Sequence, residues 1–135
     1  MAPRCGFYSN SYGTAVNNAG QVVGWSDTAA GAQHAFITEP NGAGMTDLGT
    51  LGGPGSSSFA KGINDTGQVV EYFETPGGDF HAFITGSNGV GMTDLGTLGG
   101  RYSEAIGIND AGRVVGYSEA GLALVGFVAR EKQVV

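Results

Sequence analysis

The sequence predicts an all-β protein assembled from three copies of one four-stranded antiparallel unit. Three observations predict it. The ten residues GMTDLGTLGG occur at Gly44–Gly53 and again at Gly91–Gly100, a shift of 47. The pentapeptide HAFIT at His34–Thr38 returns at His81–Thr85 with the same shift. A third element occurs three times, as NNAGQVVGWS from Asn17, NDTGQVVEYF from Asn64 and NDAGRVVGYS from Asn109, at shifts of 47 and 45. Self-similarity at a period of about 20–50 residues marks units that cannot bury their apolar face alone and must stack on neighbours.

The middle copy shows the elements in order. Ala60–Asn64 (AKGIN) predicts a short strand, and Asn64-Asp65-Thr66-Gly67 a turn. An Asn-Asp-x-Gly sequence between strands fits a type I turn followed by Gly in the left-handed region. Gln68–Phe73 is rich in β-branched and aromatic residues and predicts a second strand. Thr75–Asp79 predicts a loop, Phe80–Thr85 a third strand, Ser87–Gly89 a turn and Met92–Leu98 a fourth strand. No window carries the helical 3.6-residue period.

The copies predict the core. Phe36, Phe83 and Phe127 share one position, and Ile37, Ile84 and Val128 the next. Val16, Ile63 and Ile108 line up, as do Val22, Val69 and Val114, and then Val23, Val70 and Val115. Trp25, Tyr72 and Tyr117 form an aromatic position. The chain reads as one repeat domain, residues 1–135, with copies at approximately 1–47, 48–94 and 95–135. Met1 aligns with Leu48, and Arg130–Val135 stands where the third copy's last strand begins, so the two ends together are expected to complete one strand.

Composition sets the bounds on function. Glycine is 26 of 135 residues, several times the usual ~7%, and without a collagen period it punctuates turns. Net charge is −6, and the six basic residues are scattered, so neither nucleic acid nor an anionic membrane surface is an expected partner. Cys5 is the only cysteine, which excludes an intrachain disulfide and a thiolate metal cluster. The first residues, MAPRCGFYSNSYG, contain no apolar core of a signal peptide, and no apolar run is long enough to span a bilayer.

The His-Ala-Phe segments, both MTDLGTLGG runs and the three N-(N/D)-x-G-x-V-V strands resemble the HAF-type bacterial extracellular repeat. The resemblance covers nearly the whole chain. It implies β-propeller blades in exported proteins, hence an extracellular or periplasmic setting, and carries no catalytic motif. The chain departs from the pattern at the third copy, where Val125-Gly126-Phe127 replaces His-Ala-Phe. A propeller closes with roughly 4–8 blades, so three predict closure by self-association, a dimer giving six. Closure within one chain, as a β-trefoil or β-prism, is the alternative architecture.

Candidate site residues follow from the motifs. His34 and His81 are equivalent and would line a propeller channel as metal ligands; the simpler reading is a hydrogen bond to a neighbouring blade. Asp47 and Asp94 lie in otherwise apolar strands, either as ligands or as carboxylates tying one blade's backbone to the next. Ca or Zn is the divalent cofactor such a set would take. Asp65 and Asp110 suggest part of a calcium loop but fit a turn better. Asn64-Asp65-Thr66 spells a glycosylation sequon. Glu71 replaces Gly24 and Gly116 of the other copies, as an acid at a site or as a solvent-facing edge residue. Trp25, Tyr72 and Tyr117 would stack on sugars if exposed, and otherwise pack in the core. Neither a G-x-S-x-G elbow nor H-E-x-x-H, P-loop or dinucleotide fingerprints occur. The expected function is a non-enzymatic extracellular module for glycan or protein binding or for scaffolding, with a glycan or small molecule as the expected ligand. A metal-dependent hydrolase of esters or lactones, with its ion in a propeller channel, is the alternative.

Overall fold

A computed structural model describes residues 10–53, 55–120, 123–130 and 133–134. It holds three four-stranded antiparallel sheets, each a meander in chain order. Sheet 1 comprises β1 (Ser11–Val16), β2 (Val22–Asp27), β3 (Gln33–Ile37) and β4 (Thr46–Gly49). Sheet 2 comprises β5 (Ser58–Ile63), β6 (Val69–Glu74), β7 (Phe80–Thr85) and β8 (Met92–Gly96). Sheet 3 comprises β9 (Ser103–Ile108), β10 (Val114–Ala120), β11 (Ala123–Arg130) and β12 (Gln133–Val134). The expected copy boundaries at 47/48 and 94/95 cut through β4 and β8, because Asp47–Gly49 and Asp94–Gly96 finish the fourth strands.

The registers are equivalent. Gly24 pairs with Phe36, Glu71 with Phe83 and Gly116 with Phe127. Each turn between the first two strands closes as expected: Gly20, Gly67 and Gly112 have φ of 83°, 86° and 80°, in the region where only glycine is free of steric cost. Each first strand also bulges once, at Thr14, Lys61 and Ile106, where two residues oppose one. Opposite the bulge, a Cβ on Gly24 would lie 1.7 Å from Tyr12 O, and one on Gly116 2.0 Å from Glu104 O. Glycine at these positions is therefore a close-approach requirement in sheets 1 and 3.

The sheets stack, and sheet 2 is covered on both faces. Val23, Ala35 and Ile37 of sheet 1 pack with Ala60, Val69, Phe73 and Phe83 of sheet 2. On the opposite face, Val70, Ala82, Ile84 and Leu95 pack with Ala105 and Val114 of sheet 3. These are two separate interfaces rather than one shared core. Among the described residues no strand of one sheet joins the ladder of another, apart from an isolated bridge between Phe80 and Tyr102. Hydrogen bonds reinforce each interface at the same places. Ser58 Oγ accepts from Ala35 N (2.9 Å) and donates to Gly49 O (2.5 Å). Ser103 Oγ does the same with Ala82 N (2.8 Å) and Gly96 O (2.6 Å). This bridging explains why β5 starts at Ser58, two residues before the strand expected from Ala60.

The predicted core is met at part of its positions, with Val22, Trp25, Ile63, Tyr72 and Ile108 only half-buried. Phe36, Phe83, Ile37, Ile84, Val23, Val70, Val69 and Val114 are buried. It fails at the two ends of the stack: Val16 is 63% exposed, Val115 47% and Tyr117 42%. The side chains of Phe127 and Val128 lie outside the described residues, as do Cys5 and the expected joining of the termini around Met1. No described helix is long and apolar enough to cross a membrane.

Candidate functional site

The strand registers place an aromatic side chain near one end of successive strand pairs. Tyr12 opposes Trp25 in sheet 1, and Phe59 opposes Tyr72 in sheet 2. The rings then continue from sheet to sheet. Tyr12 and Trp25 have centroids 5.2 Å apart, Trp25 and Phe59 5.3 Å, and Phe59 and Tyr72 5.3 Å. Tyr72 also meets Phe80 at 5.2 Å and Tyr102 at 6.3 Å. Most of these contacts are tilted or edge-to-face, the arrangement favoured by the ring quadrupoles. The six rings form a row that crosses all three sheets and stays partly open to solvent, with Tyr12 52% exposed and the other five half-buried. Of the predicted binding residues, Trp25 and Tyr72 are brought together through Phe59. Tyr117 is not: it opposes Glu104 and points outward from sheet 3.

The row ends on acid. Glu104 holds the position that Tyr12 and Phe59 hold in the other sheets. The Tyr102 phenol donates a hydrogen bond to Glu104 Oε1. Beside it lies Glu71, which overturns the edge reading: β6 runs between β5 and β7, and Glu71 is only 7% exposed. Among the described residues its Oε1 has no hydrogen-bond partner. Burial, then repulsion from Glu104, pushes the Glu71 carboxyl up from its ordinary 4.5 to about 8, against a smaller opposing pull from Lys61. Burial chiefly raises the Tyr72 and Tyr102 phenols as well, with Glu104 adding to both. Glu71 is thus a carboxylic acid that stays neutral at pH 7 beneath the end of the aromatic row.

The metal candidates fall into two separate pairs. His34 Nδ1 lies 3.0 and 2.9 Å from the two carboxylate oxygens of Asp47, and His81 Nδ1 lies 3.0 Å from each oxygen of Asp94. A carboxylate can only accept, so Nδ1 carries the proton and donates. Both pairs join the third and fourth strands of one sheet. The expected bond from each histidine to a neighbouring blade is therefore corrected to a bond within its own sheet. Asp47 and Asp94 are corrected in the same way: beyond the histidine, each accepts from its own strand, Gly49 N or Gly96 N, at 2.6 Å. Among the described residues no three His, Cys, Asp or Glu side chains gather as a metal set.

The Asn-Asp turns link sheet to sheet. Asn17 Nδ2 donates to Asn64 O, and Asn64 Nδ2 to Asn109 O, each at 3.0 Å. Asn18 N and Nδ2 donate to the Asp65 carboxylate at 3.0 and 2.8 Å, and Asp65 N donates to Asp110 Oδ1 at 2.8 Å. The bonds from Asn18 hold the Asp65 carboxyl below its usual range. Asn64 is 3% exposed with its amide engaged, so the sequon is not accessible in the folded chain.

Tyr12, Phe59, Tyr102 and Glu104 are not among the candidates that the sequence suggested. A signal for three of them was present, since Ser11-Tyr12, Ser58-Phe59 and Ser103-Glu104 recur at the repeat spacing. Compared with known proteins, the chain matches no family model, no curated protein and no solved structure.

Proposed function

We propose that this chain is a non-enzymatic binding module whose stacked sheets act as β-propeller blades, and that it takes a glycan along its aromatic row. The observation that carries this reading is the row itself: six partly open rings spanning three sheets and ending on the Glu104 carboxylate. Sugar rings stack their C–H faces on aromatic surfaces, and their hydroxyls donate to a carboxylate. Trp25 and Tyr72 supply stacking surface, Glu104 accepts, and buried Glu71 keeps the acid end from carrying two charges. An extracellular setting, implied by the HAF-type resemblance, suits such a ligand.

Trp25 is the only tryptophan, so its fluorescence reports on the row directly. Titration with a panel of neutral oligosaccharides should shift that emission. Tyr72→Ala should weaken the response about tenfold or more, given ~1.4 kcal/mol per tenfold. A panel that leaves both the emission and the Tyr72 and Phe59 NMR signals unmoved would rule the glycan out. A response to protein partners alone would make the row a protein-binding surface. The metal-dependent hydrolase has less behind it, because each His–Asp pair is closed within its own sheet.

A further inference from the structure

The aromatic row changes character at one place. Glu104 stands in sheet 3 where Tyr12 and Phe59 stand in sheets 1 and 2, so a carboxylate replaces a ring at the end of the series. It is partly open, like the rings beside it. Tyr102 donates to its Oε1 and lies 6.3 Å, centroid to centroid, from Tyr72, which in turn meets Phe80 at 5.2 Å.

No cation of the described residues answers this carboxylate. Their ion pairs are His34–Asp47, His81–Asp94 and Arg101–Asp79, and none includes Glu104. Arg101, next to Tyr102 in the chain, is committed to Asp79 at 2.9 Å. Lys61 is exposed and joins none of these pairs. A second carboxyl lies in the same place: Glu71 is 7% exposed, and among the described residues its Oε1 has no partner. A buried carboxyl oxygen without a donor is costly, and the repeat does not call for it, since Gly24 and Gly116 fill this position in the other sheets. Two acidic groups without a paired cation, one of them buried and unpartnered, point to a positive group that comes from outside the chain.

The chemistry of that group follows from its neighbours. A hard divalent ion takes about six or more oxygens, and among the described residues no three His, Cys, Asp or Glu side chains gather. An ammonium needs less: one carboxylate to accept its charge-assisted hydrogen bond, and ring faces whose negative quadrupole attracts it. Glu104 and the rings of Tyr72, Phe80 and Tyr102 offer that set. We propose that the acid end of the row binds a protonated amine, and that the glycan along the row is accordingly an amino sugar chain carrying free amines. The proposal rests on the glycan reading of the row and names its ligand class. The rings from Tyr12 to Tyr72 stack the chain whatever its substituents, whereas Glu104 distinguishes an ammonium from an uncharged acetamide.

Titration with oligomers of glucosamine and of N-acetylglucosamine, equal in length and at a pH where the free amines are protonated, tests this through Trp25 fluorescence. The free-amine chain should bind tighter by about tenfold, the gain of one charge-assisted contact. This comparison changes only the sugar, so it decides whether or not any variant folds. Glu104→Gln keeps an acceptor for Tyr102 while removing the charge, and should bring the two affinities together. Glu39→Gln removes one charge from the exposed loop after β3 and should leave the preference intact, which separates a local contact from the general attraction of a chain with net charge −6. Equal affinities in the wild type would overturn the amine and leave the glycan reading standing. A preference that survives Glu104→Gln would overturn it as well. Silence toward both chains would remove the glycan reading and the amine with it.

Discussion

Glu71 makes stability fall as pH rises, over a window set by its burial. The unfolded chain releases this proton near 4.5, whereas the folded chain holds it to about 8. Between those values the folded state binds one proton more, so each pH unit removes ~1.4 kcal/mol of stability. The contribution is fully present below the unfolded value and is lost as pH passes through the folded one. Across the whole window the change is about 5 kcal/mol, comparable to the entire stability of many small domains. Glu71→Gln keeps the shape and removes the titration. Urea unfolding followed by Trp25 fluorescence, at about pH 5, pH 7 and pH 9, should show the two proteins close at the acid end and the variant more stable by ~3 kcal/mol at neutrality. Glu104→Gln should narrow the window, because it removes the second contribution to the shift. Lys61→Met should widen it. Parallel stability curves for wild type and Glu71→Gln would refute a buried neutral carboxyl at this position.

The fold offers three further tests. Phe83→Ala, at a fully buried position between sheets 1 and 2, should cost ~3–5 kcal/mol in a urea titration. Asn64→Ala should cost about 1–3 kcal/mol by the same assay, because it removes the bond to the Asn109 carbonyl and takes the acceptor from the Thr66 and Gln68 amides of its own turn. Asp47→Asn or His34→Ala should change stability by less than ~1 kcal/mol, since the pair is partly exposed, and adding a chelator should leave the unfolding midpoint unmoved.

The periodicity made the fold legible, because equal residues at equal spacing demand equal environments. The turn at Asn64-Asp65-Thr66-Gly67 and the strand Phe80–Thr85 could be read from local chemistry alone. The His–Asp pairing was not legible. It depends on the register between β3 and β4, where a bulge between Ala35 and Phe36 changes which residues face one another. The core prediction was legible in pattern but not in extent. Val23, Val70 and Val115 are one residue type at one repeat position, yet Val23 and Val70 are buried by the next sheet and Val115 is 47% exposed, with no sheet following it among the described residues.

The departures from the repeat, rather than the shared motif, set the acid end of the row apart. Gly24 and Gly116 are required by the approach of the first strand, so the identity of these two residues reports backbone geometry and nothing about a ligand. Glu71 breaks that rule between two glycine-bearing sheets. Glu104 breaks the aromatic series that Tyr12 and Phe59 establish. Two independent departures from a threefold pattern converge on one contact between sheets 2 and 3, next to Tyr102. Packing alone would favour an apolar residue in place of Glu71, because burying a carboxyl oxygen without a partner is destabilising. The unequal pair therefore marks where the repeat gives up stability, and it does so at the end of the row of rings that the other copies line up.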